Sequence, residues 1–394
     1  MQNDFVRIKE IKILEILLIS LLISLIGIYI IVSNSSDKSI SLQFHFLLAT
    51  GIIATLPFLS FSLIQRSAYT LYATTIVFLC LVLVIGHKVG GATRWVSLYD
   101  FRFQPSELLK LVLPLTLIHY YHSKKLPLSS KYIFFSIFVI TIPLLLVLVQ
   151  PNLGTSLIIL STSVFVPFML GLSKRTIRIT LVLLLILLPL LWDFLFPYQQ
   201  LRILAYLSPS KYSESVYQVQ QSILVIQKGG FWGVNDLVLT VPEGSTDFAF
   251  SIFAYRFGLF GVMFLFFLFH RLIKNIIYLA RMCRNPFLLA LAASYAYLIV
   301  CSLMINVFMV TGLFPVVGVP MPFISYGGTA FLVNVSIVTI LVAGFKKNVY
   351  YPIDITSVDF RKRQYRRLNQ LSLFSNLVLL SVVLRLFYLY LLSS

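Results

Sequence analysis

Residues 287–310 read FLLALAASYAYLIVCSLMINVFMV, a membrane's thickness of chain without one charged side chain. About 20 apolar residues suffice for a helix to cross hydrocarbon. Unpaired backbone is too costly in lipid for anything but a helix or a closed barrel to cross it. Further runs stand at 13–33, 43–64, 69–87, 107–121, 132–149, 153–171, 177–196, 247–268, 325–345 and 371–392, so about eleven candidates follow. The chain is 59% hydrophobic and 11% charged, where soluble domains are roughly half apolar and a quarter charged. We therefore expect an all-α, polytopic transmembrane bundle.

The net charge of +18 invites a nucleic-acid reading, but the basic residues mark alternate loops and make no binding stripe. Arg7, Lys9 and Lys12, Arg66, Lys124 to Lys131, Lys174 to Arg178, Arg271 to Arg284 and Lys346 to Arg367 fall on one side. That side holds roughly three times the Lys and Arg of the other, so the positive-inside rule makes it cytoplasmic, with the N-terminus inside. The first apolar run has a charged leader and no clear small-residue cleavage site, so we expect a retained helix. Cys80, Cys283 and Cys301 are too scattered for a disulfide framework or a metal signature.

With that topology, the loops 88–106, 150–152, 197–246 and 311–324 open outwards, and they hold most of the Gly and Pro punctuation. In FQPSELLKL, Pro105 and Glu107 suit a helix start. Lys110 lies one turn on from Glu107. A charge within a membrane helix costs about 2.5–3.5 kcal/mol on insertion scales, so the two are expected at a polar cavity, as an ion pair or as a substrate contact. The 197–246 loop is long for a plain connector. Within it Val216, Val219, Ile223 and Ile226 share one helical face, which fits either an interfacial helix or one packed on the bundle. Of the outer acids, Glu107 and Asp247 alone stand at helix entrances that could face one cavity.

Four segments in order, GGATRWVSLYDFRFQPSELLKL (90–111), QPNLGTSLIIL (150–160), VPEGSTDFAF (241–250) and GLFPVVGVPMPFISYGGTAFLVN (312–334), resemble the SEDS family of shape, elongation, division and sporulation proteins. FRFQPSEL is more similar to the elongation member RodA than to the division member FtsW. The resemblance implies about ten core helices and a peptidoglycan glycosyltransferase in the bacterial cytoplasmic membrane. It would polymerise lipid II on the outer face, beside a class B penicillin-binding protein. The family's essential acid lies in its TDF motif, here Thr246-Asp247-Phe248.

The chemistry suits such a site. A sugar hydroxyl of one lipid-linked disaccharide must attack the anomeric carbon of another, displacing a lipid diphosphate with inversion. A carboxylate that takes the hydroxyl proton contributes roughly a hundredfold to ten-thousandfold, and cations stabilise the charge on the leaving group. On this reading Asp247 is the base, Arg94 and Lys110 hold the diphosphate, and Glu107 orients Lys110. Arg102, Gln104, Ser106, Arg202, Lys228, Ser325 and Tyr326 are further substrate-binding candidates. No cofactor is required with certainty; a divalent cation could assist, although no cluster of carboxylates stands ready to hold one.

Two departures from the family pattern stand out. Tyr255-Arg256 replaces an acidic pair before Phe257-Gly258, leaving an arginine that needs a partner in the membrane. The loop from Gly230 to Pro242 is short and lacks the usual lysine-glycine run, while Gln227-Lys228 replaces smaller residues. We divide the chain into a transferase unit at 1–345, a basic cytoplasmic linker at 346–370 and an accessory helix at 371–394. That last helix is similar to a penicillin-binding protein's anchor, and reads either as an unrelated accessory span or as a substitute for a partner's anchor. A lipid-precursor flippase or a noncatalytic scaffold is the alternative function; a flippase would need polar residues through both leaflets, whereas here they concentrate on the outer side.

Overall fold

A computed structural model describes residues 2–34, 60–89, 92–98, 101–122, 132–172, 192–209, 211, 213–235, 241–283, 285–348 and 359–391, with a few single positions between 173 and 191. Most of the expected helices at 43–64 and 177–196 lies outside the described residues, as do Gly90-Gly91, Asp37, Asp100 and Asp236. Among the described residues, six helices are long and apolar enough to cross a membrane, and two more apolar helices are shorter. The fold is an all-α, polytopic membrane bundle.

In chain order the helices are α1 (Gln2–Asn34), α2 (Phe61–Arg66), α3 (Ala68–Ile85), α4 (Pro105–His122), α5 (Ile133–Val149) and α6 (Leu153–Met169). There follow α7 (Pro197–Leu207), α8 (Ser213–Gly229), α9 (Ala249–Met282), α10 (Pro286–Val310), α11 (Gly328–Asn348) and α12 (Asp359–Leu391). The segment expected as a loop at 88–106 instead folds as a small antiparallel sheet, β1 (His87–Val89), β2 (Ala92–Leu98) and β3 (Phe101–Phe103), in the order β1-β2-β3. ATRWVSL is rich in β-branched and aromatic residues but lacks strict alternation, a signal too short and irregular to register against 20-residue runs.

The apolar helix of the opening, α10, is the core. It packs on α4, α6, α9, α11 and α12, and Ala290, Ala292, Ala293 and Ala296 are all fully buried along it. Small residues let membrane helices approach closely where no hydrophobic driving force operates between them. The long connection 197–246 contains α7 and α8, and α8 packs on α9, α10 and α12. One face of it is therefore packed on the bundle, while Tyr217 and Leu224 stay exposed on the other. Ile226 is buried as expected, but so is Ser222, whose hydroxyl donates to the Val310 carbonyl at 2.7 Å and shares a hydrogen bond with Ser251 at 2.8 Å.

The span expected at 247–268 runs on to Met282, and it is broken: Gly258 has φ 60 and ψ −167, inside the helix. That region of backbone space belongs essentially to glycine. The chain after α8 fills the break. Val234 N donates to Tyr255 O at 2.9 Å, Leu259 N to Gly230 O at 3.0 Å and Phe260 N to Phe231 O at 3.2 Å. Backbone groups freed at membrane depth are thus satisfied by a neighbouring loop, as lipid requires. The contact needs glycine on both sides, since a Cβ on Gly258 would strike Gly233 N and Phe231 O. Arg256, just before the break, finds its partner here: a guanidinium nitrogen donates to Ser33 O in the last turn of α1 at 3.2 Å, and the group lies 5.9 Å from the Tyr29 ring centroid. A cation at a helix C-terminus is favoured by the dipole.

The final helix begins at Asp359, so the basic block read as linker is largely the first turns of α12. Near one end Arg367 donates to Phe168 O and, at 3.1 Å, to Leu172 O, capping α6. Near the other, Arg385 donates to Thr311 O at the end of α10 at 2.9 Å, and Tyr390 to Ala254 O at 3.2 Å. These contacts place the C-terminal end of α12, the end of α10 and the start of α9 together.

Candidate functional site

At that shared end, the turn Val241–Phe248 leads into α9. Glu243 has φ 57, and its carbonyl accepts from Thr246 N at 3.0 Å and Phe248 N at 3.1 Å. Thr246 Oγ1 also donates to the Glu243 carboxylate at 2.6 Å. This tight turn sets Asp247 just ahead of the α9 N-terminus, where helix amides favour negative charge.

A second segment, between α10 and α11, closes over the first. Tyr326 N donates to Ser245 O at 2.8 Å. Asn306, fully buried in α10, donates through Nδ2 to Asp247 O at 2.8 Å and to Val319 O at 2.7 Å. Gly318, at φ 70, faces the acid: a Cβ there would come within 3.1 Å of Asp247 Oδ2. From the other side Gly154 N, at the start of α6, donates to Val317 O at 3.2 Å.

Two cations and two acids act on the Asp247 carboxyl. Burial among these loops pushes its pKa up from 3.8 to about 6, and Glu243 adds to the rise. Arg202 and then Arg94 oppose it, while Glu107 reinforces it weakly. Asp247 keeps part of its surface exposed, so the group is crowded but reachable. A carboxylate with a raised pKa and specific charged neighbours is the pattern expected of a working acid or base.

The sequence-derived candidates divide in three. Asp247, Arg94, Arg202 and Glu107 are brought into electrostatic range of one another. Arg94 on β2 donates through Nε to Gln150 O at 3.1 Å and through Nη2 to Pro151 O and the Tyr198 hydroxyl, the latter at 2.7 Å. Burial lowers its pKa from the usual value and Tyr198 offsets this. Its Nη1 bonds none of the described residues. Arg202 on α7 donates to Val316 O at 3.3 Å and lies 5.6 Å from the Tyr198 ring centroid. Lys110 is 6% exposed, with Nζ 2.7 Å from both carboxylate oxygens of Glu107.

Others serve the framework. Ser106 is buried and accepts from Gln104 Nε2 at 3.1 Å and Asn152 Nδ2 at 3.3 Å. Ser325 Oγ accepts from Met321 N at 2.8 Å. Tyr326 ties its loop to Ser245 through its backbone. Arg102 and Lys228 stand apart. The Arg102 carbonyl accepts from Thr329 at 3.4 Å while the residue is exposed. Lys228 is exposed beside Gly229, whose backbone packs on Ala254 and Tyr255, two turns along α9 from Asp247. Sequence reasoning passed over Asn306, Tyr198 and Gly318. Of these Asn306 gave a usable signal, a carboxamide inside an otherwise apolar membrane helix.

Among the described residues no group of three or more His, Cys, Asp or Glu side chains could hold a metal ion. The three cysteines are free, with Cys283 and Cys301 buried and Cys80 exposed.

The family model described as "Cell cycle protein", FTSW_RODA_SPOVE, matches residues 10–348. Peptidoglycan glycosyltransferase MrdB of Escherichia coli K12 is 36% identical over 283 residues, covering 70% of this chain and 75% of that protein. A probable peptidoglycan glycosyltransferase FtsW of Geobacter sulfurreducens is 32% identical over 368 residues, covering 86% and 97%. Among solved structures, a chain from a study of how a peptidoglycan synthase complex coordinates polymerization and crosslinking superposes with TM-score 0.74 at 26% identity, over 84% of this chain and 96% of that one. The rod shape determining protein RodA of Thermus thermophilus has the same fold, with TM-score 0.65 at 24% identity over 85% and 97%.

Proposed function

The chain belongs to the SEDS family of FtsW, RodA and SpoVE proteins and is a peptidoglycan glycosyltransferase, and on that premise we propose that Asp247 is the general base of glycan polymerisation. The single observation that carries the reading is the placement of this carboxyl: enclosed by two loops, raised towards neutrality, partly exposed, and within electrostatic range of Arg94 and Arg202.

The substrate is lipid II, as both donor and acceptor. The hydroxyl of the acceptor sugar gives its proton to Asp247 as its oxygen bonds the anomeric carbon of the donor. The bond from that carbon to the diphosphate breaks, and the lipid diphosphate leaves with the electron pair. A base whose pKa lies near the working pH combines a useful ionised fraction with proton affinity. In this reading Arg202 and the Nη1 of Arg94 receive the diphosphate, where preorganised donors are worth most as charge develops; their charge interactions with Asp247 support it. The charge of Lys110 is balanced by Glu107, which favours a buried ion pair over a contact to the diphosphate, and the Glu107 carboxylate adds weakly to the field on Asp247. A divalent cation, if the reaction uses one, would arrive with the diphosphate and be held there in part by substrate oxygens.

The basic residues at the opposite end, among them Lys9, Lys12, Arg281, Lys346 and Lys347, support a cytoplasmic location for that end and for the N-terminus by the positive-inside rule. The Asp247 end then faces outwards, where a class B penicillin-binding protein would crosslink the strands made. Similarity to MrdB and the FRFQPSEL phrase favour service in elongation. The test is Asp247→Asn in a reconstituted complex with fluorescent lipid II. Loss of polymer by a folded variant is expected; wild-type turnover would sink the general-base role.

A further inference from the structure

We infer that Asn306 is a positioning residue for Asp247, acting through the backbone of both segments that enclose its carboxyl. The inference rests on Asp247 being the base.

Asn306 lies four residues from the end of α10, fully buried. Both hydrogens of its carboxamide are committed, one to the carbonyl of Asp247 itself and the other to the carbonyl of Val319. Val319 follows Gly318, the residue that faces Asp247 Oδ2. One rigid helix therefore holds the acid from behind and the wall opposite it at once. The rest of the amide shows that this double donation decides its orientation: Oδ1 is buried and has no hydrogen-bond partner. A flip would turn that oxygen onto two carbonyl oxygens, which repel it, so the amide has one acceptable setting. The turn before α9 is also held by its own hydrogen bonds and by Tyr326 N.

Release of these two carbonyls would let the segments part and water reach the carboxyl. Two effects follow. The attacking hydroxyl and the base lose register, which costs on the order of a hundredfold for a displacement of about 1 Å. The carboxyl, no longer desolvated, moves back towards an ordinary acidity, so the acid limb of the pH profile shifts to lower pH.

The experiment compares Asn306→Ser, Asn306→Leu, Ser294→Ala and Asp247→Asn in the full chain with its partner, using lipid II polymerisation from pH 4.5 to 8 and thermal melting. Ser294 is buried in α10 and bonds Ala290 O of its own helix, so its variant controls for generic loss of a polar group. We expect Asn306→Leu to lower kcat on the order of a hundredfold, with KM for lipid II little changed and the acid limb moved down. Asn306→Ser, which keeps one donor, should fall between it and the wild type, and Ser294→Ala should match the wild type. Unchanged kcat and acid limb in both Asn306 variants would overturn the inference, as would loss of activity that follows melting alone with the limb unmoved, or failure of both variants to fold. An active Asp247→Asn protein would instead overturn the reading of the base itself, whatever Asn306 does.

Discussion

Asp247 is held at a cost to the fold. Its pKa in the folded protein is raised, to about 6, so between pH 4 and 6 the unfolded chain ionises before the folded one does. Folding stability therefore falls as pH rises through that window and levels off above it, by at most about 3 kcal/mol. Asp247→Asn should abolish this slope and melt higher than wild type at pH 7.5, while losing activity; a thermal-shift series across pH measures it. For the wild type, kcat should decline as pH drops through 6, since the base must be ionised. The Glu107–Lys110 pair behaves in the opposite sense. Lys110→Met leaves a buried carboxylate unpaired and should cost roughly 3–5 kcal/mol, most of it recovered in the Glu107→Gln, Lys110→Met double variant. How much of this was legible in the sequence depends on chemistry. Glu107 and Asp247 could be singled out because charges are scarce in an apolar chain, while the role of Asp247 and the choice of Arg94 came from the resemblance of the four segments to the SEDS family. The carbonyl clamp of Asn306 could not, because which backbone groups meet a buried amide is decided by tertiary packing.

The elements divide along the same line. Apolar length located the helices, since lipid leaves the backbone no alternative, but it missed the polar turns by which α1, α9 and α12 extend ten or more residues beyond the apolar runs. Periodicity could not say whether α8 lies on the membrane or in the bundle, because an amphipathic face fits both; buried Ser222, bonded to Ser251 and Val310, marks the face packed on the bundle. Nor could it find the break in α9. A lone glycine in an apolar run is common, and Gly258 becomes a break only because Gly230, Phe231 and Val234 supply partners from a distant segment. Gly258→Ala should cost about 1–3 kcal/mol from backbone strain alone, with the clash against the loop added. Size-exclusion thermostability in detergent should show the loss, and a melting point equal to wild type would contradict the account.

For the molecule as a whole, the family match ends at residue 348 and α12 lies beyond it. Removing residues 368–394 would strip Lys274 of its bond to Ser372 and Arg281 of its bond to Asn369, and bare the faces of α9 and α10. We expect a lower melting temperature with partner co-purification unchanged, as for an accessory helix; loss or gain of pairing would point instead to a substitute for a partner's anchor. The two arginines of α12 also bear on biogenesis. Arg367 and Arg385 are separated by about 27 Å of helix, close to the thickness of hydrocarbon, and each rests on the carbonyl end of a different helix. With the Asp247 end outside, as proposed, Arg385 would be carried across the bilayer during insertion, at about 2.5–3.5 kcal/mol if it travels alone. Its acceptor at Thr311 exists only once α10 is in place, so the translocon can release α12 stably only onto a bundle already assembled.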